Sequence, residues 1–412
     1  MLVVAHGHAD PELDIPAPAQ FQEAWLITVA PGSLYWQRFG HNALWLREPL
    51  RGLDHTFNFG YFDFEQERFL QRFIAGRMLY QSLAFEAESE LSAYASEGRT
   101  IRAQRLVLDA AAYETLRDHL LWHVQPANRD YLYDYYQDNC STRIRDAIDK
   151  ALDNALEEAT GATLARQSYR DHTRRLTGMT TWYYLGLEVL LGWPVDHPIT
   201  LWQEMFIPQV LANVLESLSK SGLAEPLIDA DVLIFDAGAA TAAASPQRTW
   251  PKYLALAMAG LLLAYLLGRM PRLGWIRLAR AWAVFAALCG IILAMLWGLT
   301  DHRVVGPNTN LLLLNPCMLL LLFRSARKFG LVVLMLSTVV AVLLAFVPEA
   351  QYSADVMASV LPLNLAVAWV FWRTLKEGQG DVRVDAVIND DRTFIDRVPP
   401  APRPDVPDGE GQ

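Results

Sequence analysis

The sequence is short of cysteine, with three in 412 residues. Cys140 lies in the charged first half, whereas Cys289 and Cys317 lie inside apolar runs. Exported domains normally use cysteines in pairs, and Cys140 has no second cysteine in its own half. A disulfide within that half is therefore excluded, and Cys140 is either an ordinary buried residue or a reactive thiol.

The sequence also lacks a basic patch, and its second half lacks almost all charge. The formal net charge of −10 comes from the first half and an acidic C-terminal tail, which excludes nucleic acid as a partner. Residues 250–372 form nearly uncharged apolar runs, and 52% of the whole chain is apolar. The chain is therefore predicted to be a folded domain joined to a membrane domain.

Five apolar runs are predicted to cross the membrane. Most approach the roughly twenty residues that span the hydrocarbon core. The third run is short, so either residues from Val304 onward contribute to it or the segment is broken or re-entrant. The runs are residues 251–268, 278–299, 311–323, 329–347 and 356–372.

Basic residues cluster after the first, third and fifth runs, and the other connections contain one arginine and no lysine. Because basic residues stay in the cytoplasm, we predict a multi-pass protein of the inner membrane. Its N-terminal domain lies outside the cytoplasm and its C-terminus inside. The clusters are Arg269, Arg272, Arg277 and Arg280; Arg324, Arg327 and Lys328; and Arg373 and Lys376.

Composition divides the chain into five parts. Residues 1–20 resemble the end of an export signal without its basic start, or else a disordered terminus. Residues 21–238 form the extracytoplasmic domain, and a small-residue linker over 239–250 leads to the transmembrane domain at 251–375. Residues 376–412 are predicted to be a disordered cytoplasmic tail.

Apolar periodicity predicts an α+β outer domain with an antiparallel sheet. Several strands come first, and helices follow from Cys140 onward. Strands are predicted at residues 23–32, from His41, at 54–64, at 100–109 and at 229–236, and helices at 110–124, 178–192 and 201–218.

The segment "QDNCSTRIRD" places Cys140 at the start of a predicted helix. Asp138 and Asn139 are both helix-capping residue types, and Ile144 and Ile148 continue the segment with helical spacing. The helix dipole and the free N–H groups of a first turn favour the thiolate form of a cysteine. This position suits a nucleophile.

A cysteine nucleophile is usually paired with an imidazole. His119 and His123 have a metal-compatible spacing, but the sequence offers no third ligand nearby and no adjacent glutamate of the HExxH type, so no metal is predicted. His41 follows Gly40 at the opening of a predicted strand. A lone histidine in this position is either structural or the base that the thiol needs.

Four segments together resemble one family. "FGHNALWL", "FNFGYFDF", "YDYYQDNCSTRIRD" and "TDHRVVGPNTNLLLLNPC" are similar, in that order, to the Lnb-type lipoprotein intramolecular transacylase family, and the resemblance extends over residues 23–372. It implies an extracytoplasmic catalytic domain with a circularly permuted papain-like fold of the NlpC/P60 type, followed by transmembrane helices. It also implies that Cys140 is the nucleophile and His41 the base.

The third catalytic residue is open between three candidates. Asn58 lies inside the matching "FNFG" element and is favoured, and His55 and Asp63 are the alternatives. Asn139 and Arg143 are predicted to bind the substrate. For Arg143 the partner would be a lipid phosphate or a peptide carboxylate, unless it forms an internal salt bridge.

Polar residues cluster in one outward connection of the membrane half. Three of them, His302, Asn308 and Asn310, are predicted to bind substrate in a lipid-facing cleft on the same side as Cys140. The alternative is that they cap helix ends. The cluster also contains Asp301 and Asn315.

The resemblance implies acyl transfer through a thioester on Cys140. The acyl group would leave the glyceryl ester of a diacylated lipoprotein and pass to that lipoprotein's own N-terminal amine, giving a lyso-form lipoprotein. The expected partners are diacylated lipoproteins and membrane lipid, without a cofactor. Two alternatives are a membrane-anchored NlpC/P60-like cell-wall peptidase or amidase and a non-catalytic membrane scaffold.

Overall fold

A computed structural model describes residues 11–220, 226–238, 243–267 and 272–395. Its outer domain is built on a seven-stranded sheet in which every neighbouring pair is antiparallel, in the order β6-β4-β3-β2-β1-β5-β7. The strands are β1 Glu23–Val29, β2 His41–Glu48, β3 Leu53–Tyr61, β4 Leu79–Glu86, β5 Ile101–Leu106, β6 Asp130–Leu132 and β7 Ile228–Phe235.

Nine helices of the outer domain lie within the described residues. The predicted helix at 201–218 is two helices, because Pro208 has no N–H to continue the first one and instead begins the next. The helices are α1 Phe69–Ala75, α2 Ala87–Ser96, α3 Ala110–His123, α4 Cys140–Ala151, α5 Ala155–Thr160, α6 Tyr169–Thr177, α7 Thr181–Leu190, α8 Leu201–Glu204 and α9 Pro208–Lys220.

The sheet is covered on both faces, which accounts for the continuously buried β2. Leu44 and Leu46 pack on one face with α3, α4 and α9. Ala43 and Trp45 pack on the other face with α2. His41 and Cys140 therefore belong to elements that contact each other directly, because α4 packs on β2.

Two strands were not predicted from the sequence. β4 is half-buried along most of its length, so its two faces do not alternate clearly between apolar and polar residues. β6 has three residues, too few for a periodic signal. Both lie at one end of the sheet, where burial constrains the sequence less than at its centre.

The membrane region contains four helices among the described residues: α10 Trp250–Leu267, α11 Arg272–Leu299, α12 Arg327–Leu344 and α13 Ala354–Ile395. Three helical segments are long and apolar enough to cross a membrane, namely Gly274–Leu299, Arg327–Leu344 and Ala354–Lys376. The first predicted run forms the shorter α10. The third run is broken into the 3₁₀ segments Thr309–Leu312 and Pro316–Leu322. A broken segment was one of the two alternatives predicted for this run.

The last helix differs from the sequence prediction. It continues beyond residue 376 to Ile395, where a disordered tail was predicted. The rest of that predicted tail, residues 396–412, lies outside the described residues, as do residues 1–10 and residues 239–242 of the predicted linker.

A buried ionic cluster joins the outer domain to the membrane region, and we call it the docking cluster. Arg170 lies between Glu188 and Asp196, and its guanidinium is 2.7 Å from the Asp196 carboxylate. Arg174 extends the cluster to Asp355 at the start of α13, at 3.6 Å. All five side chains are at most 8% exposed, so these charges hold the two regions together without contact with water.

Candidate active site

Cys140 is the first residue of α4, and the helix start is held by Asn139. The Asn139 side-chain oxygen accepts from the Thr142 N–H at 2.9 Å, and the Thr142 hydroxyl oxygen accepts from the Asn139 N–H at 2.8 Å. This reciprocal cap fixes the first turn. The Asn139 amide also donates to the carbonyls of Tyr135 and Phe206. Asn139 therefore positions the thiol, and its polar atoms are committed to the protein rather than free for substrate.

His41 is the first residue of β2, directly after Gly40. Gly40 has φ of +84°, and a Cβ there would lie 2.8 Å from the Val29 carbonyl oxygen. Only glycine tolerates this conformation and this approach, so the strand can begin at His41. The His41 ring reaches the Asn58 side chain, with Nε2 2.8 Å from Oδ1.

Glu90 of α2 fixes the orientation of the Asn58 amide. The Asn58 NH₂ group donates to the Glu90 carboxylate at 2.9 Å, so the Asn58 oxygen points to His41. His41 Nε2 is then the protonated nitrogen, which leaves Nδ1 as the basic one. Three hydroxyls donate to the same carboxylate, those of Thr56, Tyr61 and Tyr94.

Glu90 is 7% exposed and was not identified from the sequence. The available signal is its place on a helix face whose other members are apolar, since Ala87 and Leu91 are buried beside it. A carboxylate on an apolar helix face needs several hydrogen bonds to be stable. We call Cys140, His41, Asn58 and Glu90 the thiol cluster.

The thiol and the imidazole shift each other's pKa. Burial alone would raise the pKa of Cys140, but the charge and hydrogen bond of His41 and the backbone N–H groups of Asn42 and Ser141 lower it below its ordinary value. Burial alone would lower the pKa of His41, but the Cys140 thiolate, Asn58 and Glu90 raise it above its ordinary value. Both shifts favour the thiolate–imidazolium form of the pair over its neutral form.

Asn42 and Ser141 connect the strand of the histidine to the helix of the cysteine. The Ser141 hydroxyl lies 2.9 Å from the Asn42 side-chain oxygen and 2.7 Å from the Met205 carbonyl oxygen. Asn42 and Ser141 are both 0% exposed. The distance between β2 and α4 is therefore set by a buried hydrogen bond next to Cys140 and His41.

His55 and Asp63, the alternative third residues, lie away from His41. The His55 ring accepts from the Asp54 N–H at 3.4 Å, and the Asp63 carboxylate accepts from the Glu65 N–H in an exposed turn. Among the three candidates, Asn58 is the one whose side chain contacts the imidazole.

Cys140 and His41 line a cavity of about 700 Å³. Its wall is mainly aromatic and aliphatic and comes from both regions of the chain, so it offers apolar contact along most of its length. The outer domain contributes Trp36, Phe59, Tyr80, Tyr133 and Leu187, and the membrane region contributes Leu296, Val304 and Val305.

Two family models match the chain, one on each region. The Lnb N-terminal periplasmic domain matches residues 18–175, and the Lnb transmembrane domain matches residues 246–377. The chain belongs to the Lnb family. It is a membrane protein with a periplasmic N-terminal domain, and the whole thiol cluster lies within the periplasmic match. No curated protein and no solved structure matches the chain.

Arg143 and His302 are two further predicted substrate-binding residues of this Lnb-family protein, and Asn139, like His302, lines the cavity. Arg143 forms an internal salt bridge with Asp138, with Nη2–Oδ2 at 2.8 Å, and its guanidinium stacks 3.7 Å from the ring centre of Tyr131. The contacts of Arg143 therefore support an internal salt bridge, which was the alternative to a contact with substrate. His302 lines the cavity, and its Nε2 lies 3.0 Å from the Phe73 carbonyl oxygen.

Asn308 and Asn310 are not among the residues that line the cavity of the Lnb-family protein. The Asn308 amide donates to the carbonyls of Val189 and Leu190, and the Asn310 amide donates to those of Glu188 and Val189. The two side chains are 4% and 0% exposed. Their amides bind the end of α7 to the membrane region, and contact of these two residues with substrate stays a prediction.

Proposed function

We propose that this protein is a membrane-bound acyltransferase that carries a fatty acyl group as a thioester on Cys140. The acceptor is the α-amino group of a lipoprotein's N-terminal cysteine, and the donor is a glyceryl fatty ester. The observation that carries this proposal is that the Cys140–His41 pair opens into an apolar cavity shared by the periplasmic and membrane regions. Membership of the Lnb family supports modification of lipoproteins.

The first half-reaction forms the acyl-enzyme. The Cys140 thiolate attacks the ester carbonyl carbon, a C–S bond forms, and the C–O bond to the glyceryl oxygen breaks. The His41 imidazolium gives its proton to the leaving alkoxide. The backbone N–H groups of Asn42 and Ser141, which lie beside the sulfur, are available to stabilise the oxyanion.

The second half-reaction moves the acyl group to nitrogen. Neutral His41 takes a proton from the lipoprotein α-amine as the amine attacks the thioester carbonyl carbon. A C–N bond forms and the C–S bond breaks, which regenerates the Cys140 thiolate and the imidazolium. Asn58 keeps the imidazole oriented through both steps, because its oxygen accepts from Nε2.

The glyceryl ester could belong to the lipoprotein itself, as the sequence resemblance implies, or to a phospholipid. Both sources share the chemistry that the site requires, namely an ester carbonyl at the end of an apolar chain. Their products differ in mass. Transfer within one lipoprotein leaves its mass unchanged and gives the lyso-form, whereas transfer from a phospholipid adds one acyl chain.

A peptidase or amidase on the same papain-like framework is the second candidate. A peptide substrate needs hydrogen-bond partners for its backbone, and the largely aromatic cavity wall favours an acyl chain instead. The order of the elements, with the histidine strand β2 before the cysteine helix α4, supports a permuted papain-like fold under either activity.

We also propose that the protein lies in the inner membrane with its C-terminus in the cytoplasm. Arg327 at the start of α12 donates to the Thr374 hydroxyl of α13, so the basic ends of these helices lie together. At the other end of α13, Asp355 accepts from the Tyr184 hydroxyl of the periplasmic domain at 2.8 Å. Basic residues thus gather at the end remote from the thiol cluster.

The test is acyl transfer by purified protein in detergent. We expect a diacylated lipopeptide to become N-acylated in mass spectra, with fragment ions locating the acyl group on nitrogen. Cys140→Ala and His41→Ala should abolish transfer, and Cys317→Ala, which removes an exposed cysteine of the membrane region, should not. Unchanged transfer by folded Cys140→Ala, or cleavage of a cell-wall peptide in place of transfer, would overturn the proposal.

A further inference from the structure

The short helix α1 has an apolar surface that the described part of the chain leaves exposed. It has seven residues, and none of them is buried. Leu70, Phe73 and Ile74 are 65%, 44% and 53% exposed. A helix this short is unstable alone in water, and an exposed apolar group of this kind marks a surface that something else covers.

The position of α1 is fixed by the outward end of α11. The Asp301 N–H donates to the Ala75 carbonyl at 2.9 Å, and the His302 ring binds the Phe73 carbonyl. Gly76 ends α1 with φ of +74°, and a Cβ at this position would lie 2.7 Å from the backbone nitrogen of His302. The last turn of α1 is therefore held at the level where a membrane-spanning helix leaves the bilayer.

The outward end of α11, which contacts α1, also carries exposed apolar residues. Ile292, Met295 and Leu299, in the last two turns of α11, are 55%, 52% and 76% exposed. Since this part of α11 belongs to an apolar segment long enough to span a membrane, its exposed face contacts lipid. The occupant that also covers α1 is therefore the outer part of the same bilayer.

The same helix leads to the reacting thiol. Phe73 and Ile74 of α1 and Leu296 of α11 line the cavity that contains Cys140. Phe73 and Ile74 thus belong both to the exposed apolar residues of α1 and to the wall of the cavity. The cavity that contains the thiol cluster is therefore bounded by α1 and by the last turns of α11.

We propose that α1 lies in the outer surface of the bilayer and forms, with the end of α11, the entrance by which the acyl chain of a glycerolipid passes from the membrane to Cys140. This inference rests on the proposed acyltransferase function and names the route of its lipid donor. A donor held in a bilayer must use the entrance, whereas a short ester dissolved in water can reach the cavity without crossing lipid.

The experiment compares two donors on the same protein in nanodiscs of phosphatidylethanolamine and phosphatidylglycerol. One donor is a bilayer-embedded dipalmitoyl-glyceryl lipopeptide with an acetylated N-terminus, which cannot accept the acyl group, so that the thioester accumulates. The other donor is water-soluble p-nitrophenyl butyrate. The measured quantity is the ratio of the two rates of Cys140 acylation, which cancels losses from misfolding.

Ile74→Glu places a charge in the entrance, and we expect it to lower this ratio by roughly tenfold or more, because a carboxylate in contact with hydrocarbon opposes lipid passage. Gln71→Glu adds the same charge to a residue of α1 that is not among the cavity-lining ones, and its ratio should equal that of the wild type. If Ile74→Glu had the same ratio of the two acylation rates as the wild type, the proposal that α1 forms the entrance would be overturned. If neither donor acylates the wild-type protein, the acyltransferase proposal itself fails.

Discussion

The thiol cluster and the docking cluster are both buried and polar, and they differ in what they face. In the docking cluster each charged side chain has an oppositely charged partner, and the group is closed between two regions of the protein. In the thiol cluster the hydrogen bonds run in one direction, from Glu90 through Asn58 and His41 to a thiol that lines a cavity. Burial of polar groups therefore indicates chemistry only where one member remains accessible.

The largest effect is expected from removing the thiol of Cys140, the accessible member of the thiol cluster. Cys140→Ala should lower acyl transfer by about four orders of magnitude or more, as for other nucleophile deletions, and should leave the melting temperature close to that of the wild type. Transfer by mass spectrometry and thermal unfolding check the two parts. A large loss of stability in this variant would place Cys140 with the structural residues and remove the distinction between the clusters.

The second-largest effect is a loss of stability when the docking cluster is disrupted. Arg170→Ala leaves Glu188 and Asp196 buried without their central cation, which should destabilise the protein by about 3–5 kcal/mol. Denaturant unfolding measures this change. Arg166→Ala is the matched control, because Arg166 is exposed, and it should cost little. Equal stability of the two variants would show that the docking cluster does not hold the regions together.

A smaller effect tests Glu90 as a positioning residue. Glu90→Gln keeps the shape of the side chain and removes the charge that stabilises the His41 imidazolium, so transfer should fall by roughly tenfold. The lowered pKa of Cys140 and the raised pKa of His41 both favour the thiolate–imidazolium pair. Losing the Glu90 charge lowers the His41 pKa, so the alkaline limb of the pH–rate profile should move to lower pH.

The exposed Glu88 on the same helix supplies the control for this measurement. Glu88→Gln should leave both the rate and the alkaline limb at their wild-type values. A merely structural role for Glu90 would lower the amount of folded protein without moving the limb, and that result would remove Glu90 from the thiol cluster.

The smallest effect concerns the loop that the sequence placed in the substrate cleft. Asn310→Ala removes two hydrogen bonds to the end of α7 and should destabilise the protein by about 1–2 kcal/mol. Transfer per folded molecule should stay near the wild-type value. Full stability combined with lost transfer would restore Asn310 as a substrate contact.

Local signals in the sequence were sufficient for much of the fold and for the positions of Cys140 and His41 within it. The capping residue Asn139 and the helical spacing after it located the start of α4, and Gly40 with the alternation after it located the start of β2. The resemblance to the Lnb family then paired His41 with Cys140. These features depend on neighbours in the chain, so they are visible without a structure.

Long-range contacts explain what was missed. Glu90 and Asn58, which are 32 residues apart in the chain, form a hydrogen bond, as do Ser141 and Asn42, which are 99 residues apart. A local sequence pattern cannot predict such pairs. Asn310 contacts α7 across more than 120 residues. Its polarity beside an apolar run resembled a binding site, whereas its amide NH₂ group donates to backbone carbonyls of a distant helix.

The most direct test of the thioester mechanism is to trap the acyl group on Cys140. With a diacylated lipopeptide whose amine is acetylated, the mechanism predicts that a palmitoyl adduct accumulates on the peptide containing Cys140, as seen by mass spectrometry. The adduct should be released by neutral hydroxylamine and be absent from Cys140→Ala. Acyl transfer to an unblocked lipopeptide by Cys140→Ala, or an adduct located on another residue, would contradict the mechanism.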